Sequence, residues 1–132
     1  LWDTNQSNTL VVYDSSSANE KFLKEIPKDI LVEKAPSDNP KFLSQILAQK
    51  GCNKILWECG PKLATSAVQA GCIQECITFV APKILGGENC MTPFSNFKFT
   101  SMNDVINLNL GEIKNINSDI YLQSCLNKPF SK

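Results

Sequence analysis

The chain has no histidine and no Cys-x-x-Cys pair. A zinc site would have to be assembled from thiolates and carboxylates at unusual spacing, so no metal centre is expected. No apolar stretch approaches the length needed to span a membrane, and no membrane partner is expected. There is no excess of either charge: Lys+Arg and Asp+Glu number 13 each. Without a basic face, nucleic acid is not an expected partner. The dinucleotide fingerprint Gly-x-Gly-x-x-Gly is missing, which argues against a simple pyridine-nucleotide module of the common α/β type. No internal repeat or low-complexity segment occurs. The start, Leu1-Trp2-Asp3-Thr4, is neither an initiator methionine nor a signal peptide, and the expectation is a piece of a longer chain.

What is present is ordinary for a soluble globular protein. The 132 residues are 42% hydrophobic and 20% charged, enough for a single domain with a core. Six cysteines, Cys52, Cys59, Cys72, Cys76, Cys90 and Cys125, lie among apolar residues. An even count invites a disulfide framework, but the chain is long and the setting apolar. Free thiols of a cytoplasmic protein are the expectation.

Apolar runs alternate with helical patterns along the chain. Thr9–Tyr13 reads as a buried strand, with Asp14 and Ser15–Ser17 as cap candidates for a short helix over Ala18–Ile26. Ile30–Val32 reads as a second strand. Asn39 or Asp38 caps a helix that begins at Pro40, carries Phe42, Leu43, Ile46 and Leu47 on one stripe, and closes at Gly51. Cys76–Val80 is a further strand, ended by Pro82. Gly86-Gly87 makes either a structural turn or a ligand cradle. Residues 88–102 read as an irregular loop whose Phe94, Phe97 and Phe99 cover a core edge. Val105–Leu110 and Ile120–Cys125, joined through Asn115, Asn117 and Ser118, predict an antiparallel hairpin. The tail after Asn127 is expected to fray.

Residues 53–71 organise the rest. Ile55-Leu56-Trp57 is the pattern of a strand buried on both faces, and Glu58 falls at its end. Gly60 and Pro61 turn the chain into a helix over Pro61–Ala70, with Gly71 as C-cap. Ligands of open α/β sheets bind at the carboxyl ends of strands, and a helix start attracts phosphate. Glu58 could accept hydrogen bonds from a ligand's hydroxyl or amino groups; a plain βα turn with a surface glutamate is the other reading. The element order, β-α-β-α-β-α-β followed by a hairpin, implies a mainly parallel sheet with helices on both faces.

Several segments, in order, resemble the reductase domain of the riboflavin-biosynthesis deaminase/reductase. They are Trp57-Glu58-Cys59-Gly60-Pro61-Lys62-Leu63, Ala70-Gly71, Gln74-Glu75, Ala81-Pro82-Lys83-Ile84-Leu85-Gly86-Gly87, Phe99–Val105 and Asp119-Ile120. The resemblance runs from about Leu10 to Leu122. It implies a dihydrofolate-reductase-like α/β fold: three αβα layers, a mostly parallel central sheet and a C-terminal antiparallel hairpin, incomplete at the N-terminus. It implies NADPH-dependent reduction of the ribosyl side chain of 5-amino-6-(5-phosphoribosylamino)uracil to its ribitylamino form. Carried over, Glu58 contacts this small-molecule substrate, and Gly60, Pro61, Lys62, Leu63, Ala64, Thr65 and Ser66 line NADPH. No catalytic proton donor is identifiable in the chain.

Cys59 stands where the family has the first glycine of a pair. If that position needs positive φ or close cofactor approach, a Cβ there costs on the order of 1 kcal/mol. No His-x-Glu or Pro-Cys-x-x-Cys zinc signature of a deaminase half is present, and the chain is expected to be fused to, or to follow, such a domain in its parent. It looks like the C-terminal two-thirds of a reductase domain. Alone it should bind NADPH only at about millimolar strength, since one helix start contributes about 0.3–1 kcal/mol per contact. A homodimer is expected from the apolar groups Phe94, Phe97 and Ile116. A non-catalytic nucleotide-binding or dimerisation module is the alternative reading.

Overall fold

The computed structural model describes residues 2–5, 7–14, 16, 19–87, 90–95 and 97–127. They gather into two compact units divided between Ile55 and Leu56. Among the described residues, the first unit holds two strands and two helices. The second holds one α-helix, three strands and a 3-10 turn.

In the first unit, β1 (Leu10–Asp14) and β2 (Leu31–Ala35) pair in parallel, from Leu10 opposite Leu31 to Asp14 opposite Ala35. Parallel neighbours need a crossover, which α1 (Glu20–Glu25) supplies. Its cap is Asn19, whose side chain accepts from the Lys21 and Phe22 N–H groups. Ser15, Ser17 and Ala18, named from the sequence, lie outside the described residues, as does the tail 128–132. α2 (Pro40–Gln49) starts as its sequence dictates: Asn39 caps it and Pro40 occupies the first position. Its end is a Schellman motif. The Gly51 N–H donates to Ala48 O and the Cys52 N–H to Leu47 O, each at 3.0 Å, with Gly51 at φ +88°. Ile30, Ala35 and Pro40 are the buried residues of this unit among those described. Lys50 at the end of α2 pairs with Glu33 of β2 at 2.8 Å.

Residues 52–60 belong to no helix or strand. The strand expected at Ile55–Trp57 is therefore not formed. A short apolar run is a strand only when a neighbour takes its N–H and C=O groups, and no ladder reaches this one among the described residues.

In the second unit, α3 (Pro61–Gln69) begins and ends as the sequence predicts, and repeats the Schellman ending. Gly71, at φ +70°, donates to Val68 O, and Cys72 donates to Ala67 O. Its buried residues are Thr65, Ala67 and Val68. β3 (Glu75–Val80), β4 (Leu108–Ile116) and β5 (Asp119–Leu126) form an antiparallel sheet in the order β3-β5-β4. The alternation of strands and helices predicts β3 in the parallel part. It pairs instead with the last strand, from Glu75 opposite Cys125 to Val80 opposite Ile120. The hairpin turn is Asn117-Ser118, with Asn117 at φ +55°, a conformation asparagine tolerates better than most residues. The molecule is thus mixed α/β, with one parallel and one antiparallel sheet.

Between Leu110 and Ile113 the β4–β5 register shifts by one residue. Leu110 faces Ser124 and Ile113 faces Leu122, so β4 spends one residue more than β5 over this span: a β-bulge. Gly111 sits in it, and a Cβ there would lie 3.3 Å from the Gln123 carbonyl oxygen. Alternation then puts Val80, Leu110, Ile113, Ile120 and Leu122 on one sheet face. Leu110 and Ile113 are 59% and 56% exposed, so this apolar face is largely bare.

Candidate functional site at the start of α3

The local chemistry is set by Gly60-Pro61. Gly60 is the N-cap, at φ −70° and ψ +167°, and makes no side-chain capping bond. Pro61 at the first helical position has no N–H. The Ala64 N–H already donates to Gly60 O at 3.0 Å. The N–H groups of Lys62 and Leu63 are left as the donors of the helix start, strengthened by the helix dipole. A Cβ built on Gly60 would meet nothing within 4 Å, so the space beside the cap residue is open. Glu58 is exposed, two residues before the cap. The helix start thus carries two N–H groups outside the intrahelical ladder, an exposed carboxylate two residues before the cap and the exposed Lys62 ammonium, groups that can interact with an anion or with hydroxyls.

The seven residues proposed for a cofactor divide by their side chains. Lys62, Leu63 and Ser66 are exposed and Pro61 and Ala64 half-buried. The Ser66 hydroxyl donates to Lys62 O at 3.1 Å within the helix. Thr65 is 6% exposed, the sole buried polar side chain among the described residues. Its Oγ1 accepts from the Ser95 N–H at 2.8 Å and donates to the Ser95 carbonyl at 3.4 Å. The Ser95 N–H also reaches the Pro61 carbonyl at 3.2 Å. Ser95 was not singled out from the sequence. A hydroxyl-to-backbone contact thirty residues apart leaves no periodic or compositional trace.

Cys59 is half-buried and does not have positive φ. The backbone cost considered for a Cβ at this position therefore does not arise. Gly86 and Gly87 do have positive φ, +61° and +128°, so the turn they make depends on glycine. A Cβ on Gly87 would sit 3.3 Å from the Cys90 sulfur, whose thiol donates to Gly87 O. Just before this turn Ile84 and Leu85 stand fully exposed. Phe94, Phe97 and Phe99 form a ladder: Phe94 and Phe97 are 5.8 Å apart, and Phe97 and Phe99 stack at 5.1 Å with rings 2° from parallel.

All six cysteines are free, three exposed and three half-buried. Among the described residues no group of three or more His, Cys, Asp or Glu side chains could hold a metal ion. No helix among them is long and apolar enough to cross a membrane.

This architecture is the fold of pyrimidine-reductase-like proteins. A solved pyrimidine reductase-like protein of Corynebacterium diphtheriae matches 89% of the chain with a TM-score of 0.66 at 18% identity, over 49% of its own length. RibD of Acinetobacter baumannii matches 91% of the chain with a TM-score of 0.65 at 20% identity, over 38% of its length. The family model of the RibD C-terminal domain matches residues 1–122, and the chain belongs to that family. Among curated relatives, the chloroplastic riboflavin biosynthesis protein PYRR of Arabidopsis thaliana is 34% identical over 109 residues, 82% of this chain. The riboflavin biosynthesis protein RibD of Synechocystis is 33% identical over 110 residues, again 82% of the chain. The chain spans only 18% and 29% of these two relatives' lengths.

Proposed function

We propose that the chain is part of an NADPH-dependent reductase of riboflavin biosynthesis. In this reading it converts the ribosyl side chain of 5-amino-6-(5-phosphoribosylamino)uracil to the ribitylamino form. Family membership supports the pathway and the class of reaction. The observation that carries the site assignment is the start of α3: free donors, open space over Gly60, and a carboxylate two residues upstream.

The residues fit a dinucleotide phosphate. The Lys62 and Leu63 N–H groups and the Lys62 ammonium hold the anion, and Gly60 lets it approach. Glu58 accepts hydrogen bonds from the substrate's ribosyl hydroxyls and so fixes the reducible carbon relative to the coenzyme. NADPH, when bound, supplies the hydride. Each helix-start contact contributes about 0.3–1 kcal/mol, so most of the affinity must come from other parts of the full-length protein.

Glu58→Gln in the full-length protein tests the assignment. The amide keeps the shape but loses the charged acceptor. A fall in kcat/KM for the ribosylaminouracil phosphate of roughly tenfold or more is expected, the scale of one charge-assisted hydrogen bond. Unchanged kcat/KM removes Glu58 from the site.

In this reading a second copy of the chain covers the bare sheet face, and not the surface expected from Phe94, Phe97 and Ile116: both rings are half-buried, and Ile116, opposite Asp119, lies on the other face of the sheet. The ladder-paired residues of the bare face include no charged side chain, and the chain's charges balance at 13 of each sign, so two copies meet without repulsion.

A further inference from the structure

Thr65 lies in the segment expected to line the cofactor, yet both hydrogen-bonding capacities of its hydroxyl are taken by the Ser95 backbone. It is buried, so it offers nothing directly to a phosphate. What it does instead is tie a distant loop to the helix start. Ser95 belongs to the stretch between the Gly86-Gly87 turn and the 3-10 turn at Met102–Asp104. Its described residues brace one another: the Thr92 hydroxyl donates to the Phe94 carbonyl, the Phe94 ring meets Phe97 at a tilt, and Phe97 stacks on Phe99. Ser95 hydrogen-bonds to the body of the unit, its N–H donating to Thr65 Oγ1 and to the carbonyl of Pro61, the first residue of α3, and its own carbonyl accepting from the Thr65 hydroxyl. Without the Thr65 hydroxyl, Ser95 keeps only the 3.2 Å bond to Pro61 O of these three, so its hold on the helix start is weakened.

We propose that Thr65 is a positioning residue for the anion cradle of α3: its hydroxyl latches the Ser95 loop beside the first helical turn, and the latched loop forms one wall of the site. This rests on the cofactor reading above and adds a role for a residue that does not touch the ligand. The physical consequence is specific. Loosening this tie leaves the Lys62 and Leu63 donors in place with a less firmly held wall, so coenzyme affinity falls while the orientation set by Glu58, and hence kcat, is kept.

The test uses the full-length protein with Thr65→Val, which keeps shape and loses the hydroxyl, and Thr65→Ser, which keeps the hydroxyl. Amide hydrogen exchange across residues 92–97 is measured without coenzyme, and steady-state kinetics with NADPH. Thr65→Val should accelerate exchange at the Ser95 amide and raise KM for NADPH by roughly fivefold to tenfold, with kcat changed by less than about twofold. Thr65→Ser should restore both. Exchange unchanged in Thr65→Val overturns the latch. Faster exchange with unchanged KM, or a loss confined to kcat, overturns the positioning role. If the wild-type protein takes up no NADPH, the cofactor reading fails, and the positioning role with it, while the exchange data still decide whether the latch exists.

Discussion

Leu110 and Ile113 face the same side of the antiparallel sheet, although in an unbroken strand residues three apart point to opposite sides. The bulge between them absorbs the extra residue, and Gly111 provides the room for it. The switch in the sequence, from apolar residues at even positions (Leu108, Leu110) to an odd one (Ile113), is thereby reconciled with a single sheet face, mainly apolar but shared with Thr78, Asn115 and Ser124.

That face should govern assembly. Changing both Leu110 and Ile113 to Lys puts two like charges on the surface we assign to the contact between copies. Sedimentation should show a dimer for the parent chain at tens of micromolar and a monomer for the double variant. Secondary structure should be unchanged by far-UV circular dichroism, because both positions are already largely exposed. A parent chain that sediments only as a monomer contradicts the assignment.

Gly111→Val tests the bulge. The new Cβ would press on the Gln123 carbonyl from 3.3 Å, and the backbone has little freedom to yield inside the sheet. Urea unfolding should show a loss of about 1–3 kcal/mol, the scale of other overpacking changes. No loss would mean that β4 can re-register without the glycine.

Gly71→Ala and Gly60→Ala form a contrasting pair. Gly71 has φ +70° in the Schellman turn of α3, so an alanine there should cost about 1–2 kcal/mol of stability. Gly60 has φ −70° and open space around its Cβ, so an alanine there should leave stability unchanged or slightly improved. In the full-length protein it should still weaken NADPH binding, because the methyl group occupies the approach to the donors. Calorimetry of both variants and a coenzyme titration of the second separate the structural glycine from the functional one.

Asp104 should give a local acid-sensitive signal. Its carboxylate accepts from the Thr100 and Ser101 hydroxyls and the Ser101 N–H, and the Ser101 side chain accepts from Asn103 N–H in return, a capping box on the 3-10 turn. The Thr100 hydroxyl bond, then those from Ser101, hold the Asp104 carboxyl below its ordinary pKa. A lowered folded-state pKa stabilises above the unfolded value and loses its effect as pH falls through the folded value. Asp104→Ala should therefore lower Tm at neutral pH, and the gap between variant and parent should narrow as pH drops below the usual carboxylate range. A gap that stays constant to low pH would show that the carboxylate's charge plays no part.

Local structure was legible where single residues dictate it. Asn39-Pro40 and Gly51, Gly60-Pro61 and Gly71 mark both ends of α2 and α3, because capping and φ preferences act within a few bonds. Strand existence was legible for β1, β2, β3 and the hairpin, but partner choice was not. Cys76–Val80 reads the same whether its neighbour is parallel or antiparallel, and only the register with β5 decides. Ile55–Trp57 has the composition of a buried strand, yet it pairs with nothing among the described residues, since a strand is a property of two segments and composition belongs to one.

The site divides the same way. The sequence by itself determined the helix start: the glycine N-cap, the proline that removes one N–H, the lysine beside it and Glu58 two residues before the cap all follow from order along the chain. Only the tertiary structure decided what Thr65 does. From the sequence it is one more hydroxyl near a helix start. In the folded chain it is buried and committed to Ser95, because a hydroxyl's partner is fixed by what packs within 3 Å or so of it, and chain order does not specify that across a long loop.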